Sequence, residues 1–321
     1  MKLYILNTTD PYYNLALEEY LFEREGEDAF LLWQNAPTVV IGKNQNAFAE
    51  LHMDEIRRRG IRIARRITGG GAVYHDGGNL NYSYIASGGG TLDFARFEAP
   101  IISALARVGV AVTTSGRNDI LVGDRKFSGN AQHTKGTRTL HHGTLLFDTD
   151  LSVLSAVLAV DAEKLKANAV RSVASRVTNL KEYLPAGYTV DDLIALIAGE
   201  MREHYGATLT EPPKNADIDT LAARNASDAW LFPDRDYLSR YTYTKKKRFS
   251  FGSVALSLEM KNERIESARI TGDFFGTAPV SIVEAALAGQ TLATAPTALA
   301  SVPLGDCIAK MTEADFLSLL K

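Results

Sequence analysis

Apolar and polar residues alternate over positions 80–85, where Leu80, Tyr82 and Tyr84 oppose Asn81, Ser83 and Ile85. That period of two predicts a strand whose two sides differ chemically. Shorter β-rich runs at 30–33 and 38–41, separated by Asn35-Ala36-Pro37, predict a hairpin. Asp10-Pro11 followed by Asn14 offers helix-start chemistry, and Leu17, Tyr20 and Leu21 repeat on one face behind it. Positions 50–60 are helical in pattern and stop at Gly60; 61–65 then reads as a strand entering a glycine turn and 72–75 as one leaving it. Further helices are expected at 94–108, 151–159 and 161–169, and strands at 110–112, 119–122 and 139–147. Thr189-Val190-Asp191-Asp192 has the form of a capping box, ahead of a helix with Leu193, Leu196, Ile197 and Met201 on one face.

The composition shifts at Tyr241-Thr242-Tyr243-Thr244-Lys245-Lys246-Lys247-Arg248, which reads as a solvated linker and sets a domain boundary at 243/244. Beyond it, 254–260 alternates as a strand, Asn262-Glu263 turns, and 265–271 pairs back. Helices near 280–288 and 312–320 complete a small α+β unit. Gly88-Gly89-Gly90 lacks flanking arginines and reads as a connection.

With 321 residues the chain is long enough for a large domain and a smaller one, and 45% hydrophobic with 23% charged residues argues against extended disorder. Lys and Arg number 35 against 38 Asp and Glu, so the net charge is −3 and nothing at this level calls for nucleic acid or an anionic membrane. Cys307 is the only cysteine, which excludes an intramolecular disulfide and a thiolate metal cluster. The N-terminus lacks the apolar core of a secretory signal, and the weakly charged stretch 279–304 is interrupted by Glu284, Gly289, Pro296 and Pro303, so a cytoplasmic address is expected. His75, His141 and His142 show no zinc-ligand spacing and are assigned hydrogen-bonding roles, and Ser128 has no partner pattern for a nucleophile.

The densest chemistry lies in Arg65-Arg66-Ile67-Thr68-Gly69-Gly70-Gly71-Ala72-Val73-Tyr74-His75-Asp76, running into Asn79-Leu80-Asn81-Tyr82-Ser83. Bare main-chain N–H groups at such a turn can approach an anionic ligand while guanidinium groups neutralise it. Asn and Tyr on a buried strand need hydrogen-bond partners, and a ligand can supply them. Gly123-Asp124-Arg125-Lys126-Phe127-Ser128-Gly129-Asn130-Ala131-Gln132 is a second glycine-flanked segment, presenting a lysine. Together the two suggest a site for a nucleotide and a carboxylate.

The first segment resembles the signature of the lipoate–protein ligase A family, Arg-Arg-x-Ser/Thr-Gly-Gly-Gly-Ala-Val-x-His-Asp-x-Gly-Asn, which is met from Arg65 to Asn79. The second resembles the family's Lys-x-Ser-Gly-x-Ala context. Further similar segments are Asn14-Leu15-Ala16-Leu17-Glu18-Glu19, Trp33-Gln34-Asn35, Gly116-Arg117-Asn118-Asp119-Ile120, His142-Gly143-Thr144-Leu145, Ser175-Arg176-Val177-Thr178-Asn179-Leu180 and, near the C-terminus, Ile270-Thr271-Gly272-Asp273-Phe274-Phe275-Gly276. One departure is Leu231-Phe232-Pro233-Asp234 after Trp230, where many relatives carry a Gly-x-Ser-Pro-like turn.

The resemblance implies an α+β fold: a large mixed β-sheet flanked by helices (biotin/lipoyl ligase-like) over residues 1–243 and a small α+β accessory domain over 244–321. It implies an ATP- and Mg²⁺-dependent ligase that converts lipoate to lipoyl-AMP and transfers the acyl group to a lysine of an apo lipoyl domain. The acceptors would be 2-oxoacid dehydrogenase E2 subunits or the glycine-cleavage H protein, with no nucleic acid and no membrane involved. Lys126 would be catalytic, bridging acyl carbonyl and phosphate. Arg66, Gly69, Gly70, Gly71, Ala72, Val73, Tyr74 and His75 would bind the nucleotide together with Lys126. Asn81, Ser83, Lys126 and His142 would bind substrate, and Asp119 would organise Mg²⁺. Octanoate is expected as an alternative substrate, because each methylene contributes under about 1 kcal/mol. The rival readings are an octanoyl or lipoyl transferase working through Cys307, an enzyme using only preformed lipoyl-AMP, and a non-catalytic adaptor that binds lipoyl domains.

Overall fold

The period-two run becomes the centre of a large sheet, described in a computed structural model over residues 1–24, 26–88, 93–115, 118–159, 177–233 and 235–321. Its strands in chain order are β1 (Lys2–Ile5), β2 (Ala29–Trp33), β3 (Thr38–Ile41), β4 (Arg62–Arg65), β5 (Val73–His75), β6 (Asn79–Ser87), β7 (Val112–Ser115), β8 (Asp119–Val122), β9 (Arg125–Lys135), β10 (Arg138–Leu146), β11 (Thr208–Leu209), β12 (Tyr243–Phe249), β13 (Gly252–Lys261) and β14 (Arg264–Gly272). The helix expected at 161–169 lies outside the described residues, as do Gly89-Gly90, Gly116-Arg117, Ser175-Arg176 and Asp234.

The chain divides into two compact units: residues 1–40, 50–65 and 73–231 form one, and residues 41–49, 66–72 and 232–321 the other. In the first, an eight-stranded sheet runs β11-β1-β2-β6-β10-β9-β8-β7. β1 pairs parallel with β2 and β11, whereas β2, β6, β10, β9, β8 and β7 pair antiparallel in turn. Helices α1 (Pro11–Arg24), α2 (Phe94–Arg107), α3 (Val190–His204) and α4 (Ala216–Asn225) pack around it.

Alternation along β6 sorts the two faces. Leu80, Tyr82 and Tyr84 join Phe97 and Ile101 of α2 and Leu193, Ile197 and Met201 of α3 in one core cluster. Ser83 points the other way and meets Glu18 of α1. Thr189 and Asp192 cap α3 reciprocally, as their spacing predicts. The expected hairpin does not form. β2 lies between β1 and β6, whereas β3 is the middle strand of a separate β4-β3-β5 sheet. Both runs are buried throughout, and a run without polar interruption carries no period to say which strand it will pair with.

In the second unit, β12-β13-β14 form an antiparallel sheet turned by Asn262 and Glu263, both at positive φ. Packed on it are α5 (Ser281–Leu287) and α6 (Glu313–Leu320). The Lys245–Arg248 run is not a linker: it lies in β12, where half-buried and exposed positions alternate. Lysine stems are long enough to cover apolar surface and still keep the charge wet, so an edge strand tolerates them. Among the described residues no helix is long and apolar enough to cross a membrane.

One polar residue at the start of β10 does structural work that spacing does not reveal. The Arg138 guanidinium donates to the carbonyl oxygens of Leu21, Phe22, Gly26 and Glu27 at 2.7–3.2 Å, closing the C-terminal end of α1. A cation there also opposes the negative end of the helix dipole. Arg138→Ala should therefore cost about 2 kcal/mol, read as a lower urea midpoint with an unchanged slope. An unshifted midpoint would contradict this role.

Candidate active site

Lys126 sits near the start of β9, where the β8–β9 ladder slips by one residue: Ile120 faces Ser128 but Leu121 faces Lys126. Such a bulge re-aims the side chains beside it. The Lys126 ammonium lies 2.6 Å from Asp119 of β8, with both side chains about one-third exposed. It passes over Gly129, where an added Cβ would come within 2.8 Å of Nζ, so the glycine leaves the path of the lysine open. The main-chain oxygen of Lys126 accepts from Thr178 N at 2.9 Å, which ties the strand at this point.

Asn118 and Asp119 also line a cleft of about 200 Å³ with Phe94, Ala95, Glu98, Thr114 and Ser115. Its polar side-chain donors to a metal would all be oxygens, the set a hard cation such as Mg²⁺ prefers. No group of three His, Cys, Asp or Glu converges on a metal position among the described residues. The fit is thus to an ion held by the Asp119 carboxylate and by its substrate's phosphates.

The expected substrate residues fall on β6 and β10. Ser83 Oγ accepts from Trp33 Nε1 at 2.9 Å and donates to Glu18 Oε1 at 2.5 Å, while His142 Nδ1 lies 2.9 Å from the same oxygen. Ser83 and His142 thus converge on a buried carboxylate that the sequence reading missed. Asn79 Nδ2 donates to Asn81 Oδ1, and the remaining amide atoms, Asn79 Oδ1 and Asn81 Nδ2, are buried without a partner among the described residues. Val73, Tyr74 and His75 form β5, an edge strand of its sheet, so alternate main-chain groups point away from β3. Burial raises the Tyr74 phenol above its ordinary range. Asn35 Nδ2 lies 3.0 Å from His75 Nδ1.

Arg66 and Gly69–Ala72 belong to the second unit. Arg66 closes the turn upon itself, its Nη2 donating to the carbonyls of Gly69 and Gly71 at 2.8 and 2.7 Å and its Nε to Thr68 Oγ1 at 3.0 Å. Gly70 has a φ of +89°, and its N–H donates to Phe274 O. At Gly69 a Cβ would stand 2.3 Å from that same oxygen, which explains why no side chain fits. Arg65, in the first unit, is a strut rather than part of an anion site. It donates to the carbonyls of Trp230 and Leu231, and Trp230 Nε1 donates back to Arg65 O.

Comparison with known proteins identifies the family of the chain. The lipoyl protein ligase A/B catalytic domain model matches residues 10–202, and the bacterial lipoate protein ligase C-terminus model matches residues 239–320. The chain belongs to the lipoyl protein ligase A/B family. "Lipoate--protein ligase 1" of Staphylococcus aureus is 37% identical over 88% of either chain. Among solved structures, LipL1 of P. falciparum in complex with lipoate superposes with a TM-score of 0.75 at 25% identity, covering 85% of this chain and 84% of that one. A bipartite lipoate protein ligase studied with its E2 lipoyl domain, from Thermoplasma acidophilum, gives 0.64 at 27% identity over 72% and 95%. A lipoate-protein ligase A bound with ATP gives 0.61 at 25% identity over 72% and 98%.

A string of buried polar side chains lies behind Asn118 and Asp119. Asn130, at the undefined position of Lys-x-Ser-Gly-x-Ala, accepts from Tyr82 Oη at 2.7 Å and donates from Nδ2 to Glu98 Oε1 at 3.0 Å. Tyr82 Oη is 3.0 Å from His141 Nε2, and Gln132 Nε2 donates to His141 Nδ1 at 2.9 Å. Complete burial holds His141 far below the usual imidazole range, so the ring is neutral and the string of bonds runs one way.

Burial, reinforced by the Asp119 charge and opposed by the Asn130 hydrogen bond, pushes the Glu98 carboxyl from 4.5 up to about 7. Between those values the folded chain binds more protons than the unfolded one. The contribution of Glu98 is therefore fully present below 4.5 and is lost as pH rises through 7. Glu98→Gln has no such titration, so its urea midpoint relative to wild type should improve progressively between pH 5 and pH 8. A constant difference over that range would refute the assignment.

Proposed function

We propose that this chain is an ATP-dependent lipoate–protein ligase that forms lipoyl-AMP and transfers the lipoyl group to a lysine of an apo lipoyl domain. The observation that carries the reading is the Lys126 ammonium, 2.6 Å from Asp119 on a bulged strand, in a segment that resembles the family's Lys-x-Ser-Gly-x-Ala context. The ATP-bound and lipoate-bound ligases among the similar structures support the two substrates. The archaeal ligase studied with an E2 lipoyl domain supports the acceptor class. The glycine-cleavage H protein is a second acceptor of the same kind.

A free carboxylate does not acylate an amine at a useful rate, because its leaving group would be hydroxide. In the first half-reaction a lipoate carboxylate oxygen attacks the α-phosphorus of ATP, the bond from that phosphorus to the bridging oxygen breaks, and pyrophosphate departs. In the second, the acceptor amine attacks the acyl carbon and the carbon–oxygen bond to AMP breaks, leaving an amide, AMP and a proton. Lys126 would place positive charge against both the carbonyl and the phosphate as negative charge develops on them. The closed glycine turn of Arg66, Gly69, Gly70, Gly71 and Ala72, continuing into Val73, Tyr74 and His75, would offer main-chain N–H groups to the nucleotide. Asn81, Ser83 and His142 would line the acyl side, and Asn81 Nδ2 is a buried donor awaiting an acceptor. Asp119 would hold Mg²⁺, which neutralises phosphate charge. Residues 1–243 would carry both half-reactions and 244–321 would act as an accessory domain. Reduced thiol chemistry with a single cysteine fits a cytoplasmic address.

A thioester route through Cys307 is disfavoured, because the residue is buried and burial raises its thiol above the ordinary value. Incubation with ATP, Mg²⁺, lipoate and an apo lipoyl domain should add one lipoyl mass to the acceptor. Lys126→Ala should lower the rate by at least about 100-fold. Absence of the mass gain with every apo acceptor would defeat the reading. Cys307→Ala should keep full activity, and its inactivation in a folded protein would revive the thioester route.

A further inference from the structure

The Lys126–Asp119 pair is held from behind. Asn118, the neighbour of Asp119, is tied to Asn130 by three bonds. Its carbonyl accepts from Asn130 N at 2.8 Å and Nδ2 at 3.1 Å, and its Nδ2 donates to Asn130 O at 2.7 Å. The Asn130 amide is itself aimed from both ends, by the Tyr82 hydroxyl at Oδ1 and by Glu98 Oε1 at Nδ2. A side-chain amide reversed by half a turn would set its NH₂ against a hydroxyl and its oxygen against whatever lies opposite. Two acceptors facing Nδ2, Glu98 Oε1 and Asn118 O, therefore decide the orientation, and only Glu98 comes from outside the segment being positioned. Glu98 is 2% exposed on the buried stripe of α2, a place where a carboxyl is costly and an apolar side chain would pack at no such cost. Lys126 and Glu98 are linked through Asn130, Asn118 and Asp119.

We infer that Glu98 is a positioning residue for the reacting ammonium: by accepting from Asn130 Nδ2 it fixes the Asn118–Asp119 segment so that Asp119 meets Lys126. The inference rests on the role given to Lys126 above, and it concerns the acceptor oxygen of Glu98 rather than its charge. Glu98→Gln can keep an oxygen opposite Nδ2, whereas Glu98→Met fills similar space without one.

The test combines a reading of Lys126 itself with a reading of turnover. Folded protein is acetylated briefly with an N-hydroxysuccinimide ester, and Lys126 modification is measured by peptide mass spectrometry against Lys135 and Lys181. Glu98→Met should raise relative labelling of Lys126 by about threefold, the order expected for releasing a partly exposed ion pair. In lipoate-dependent ATP–pyrophosphate exchange it should lower kcat by about 10- to 100-fold, with KM for ATP changed by less than about twofold. Glu98→Gln should keep both readings near wild type. A merely structural role would instead lower the folded fraction and leave both readings per folded molecule unchanged.

Unchanged labelling and kcat in folded Glu98→Met would overturn the inference, as would equal losses in Glu98→Gln. If Glu98→Met does not fold, Glu98→Asp, which falls short by one carbon, should raise labelling and lower kcat, and its failure to move either would overturn the inference equally. A wild-type chain inactive in exchange, but with the labelling pattern as expected, would refute the ligase reading and leave the positioning role standing.

Discussion

The side-chain amide of Asn130 is the constraint on which the Lys126 region depends. It is 3% exposed and satisfies the main chain of Asn118 just before β8, a tyrosine of β6 and a carboxyl of α2 at once. If the Asn130 side chain moved, Glu98 Oε1 would lose a buried donor at about 1–3 kcal/mol, whereas Asn118 O and Tyr82 Oη would keep Asn130 N and His141 Nε2. The three contacts are coupled through one amide. It is also why a lysine on a bulged strand can have a defined position: the bulge sends the ammonium toward β8, and the Asn118–Asn130 bonds fix where β8 presents its carboxylate. Tyr82 extends the same constraint into the centre of the sheet, where its ring packs beside Phe30 while its hydroxyl is aimed by His141.

The glycine turn of the second unit follows a related rule with main chain in place of side chains. Phe274 O stands where a Cβ on Gly69 would have to be, and it accepts from Gly70 N. Arg66 donates to two carbonyls of the turn, so these oxygens are directed inward toward the guanidinium. A turn already closed in this way has lost its conformational entropy on folding, and an anion approaching its N–H groups would not have to order it again. The neighbouring arginine serves a different end, since Arg65 is bound to the carbonyls of Trp230 and Leu231. Arg65 is the last residue of β4 and Arg66 lies beyond it in the turn, which separates their roles.

How far the sequence discloses this arrangement depends on whether the signal is local. β6, the capped α3 and the Asn262-Glu263 turn each follow from periodicity or turn chemistry within a few residues. The pairing of β2 with β6 instead of β3 is set by partners almost fifty residues away, and no period in a wholly apolar run encodes it. The lysine run of β12 misleads for another reason, because charge predicts exposure but not the absence of a strand. At the site, Lys126 is legible through its motif, whereas Glu98 lies 32 residues from Asn130 and belongs to none. A signal for it did exist. Phe97, Glu98, Ile101, Ala104 and Leu105 form the buried stripe of α2, and a carboxyl on such a stripe needs a buried partner. Glu18 carries the same mark on α1, between Asn14, Leu17 and Leu21.

Polar groups line both faces of the sheet near its centre, and their accounts differ. On the side of α2 the chain from Gln132 through His141, Tyr82 and Asn130 to Glu98 matches donor to acceptor along its length. On the side of α1, Trp33, Ser83, Glu18 and His142 do the same around one carboxylate. The pair two residues along that face does not close: Asn79 keeps an acceptor and Asn81 a donor with no partner among the described residues. Gln132 Oε1, at the end of the first network, is likewise buried without a partner among the described residues, and apolar residues at positions 79 and 81 would remove the cost of the open pair. An amide acceptor and an amide donor set side by side on β6 are complementary to a group that presents one of each, or to ordered water that a polar ligand displaces. A polar group bound at this stretch of the sheet would offset the burial cost that the open pair carries.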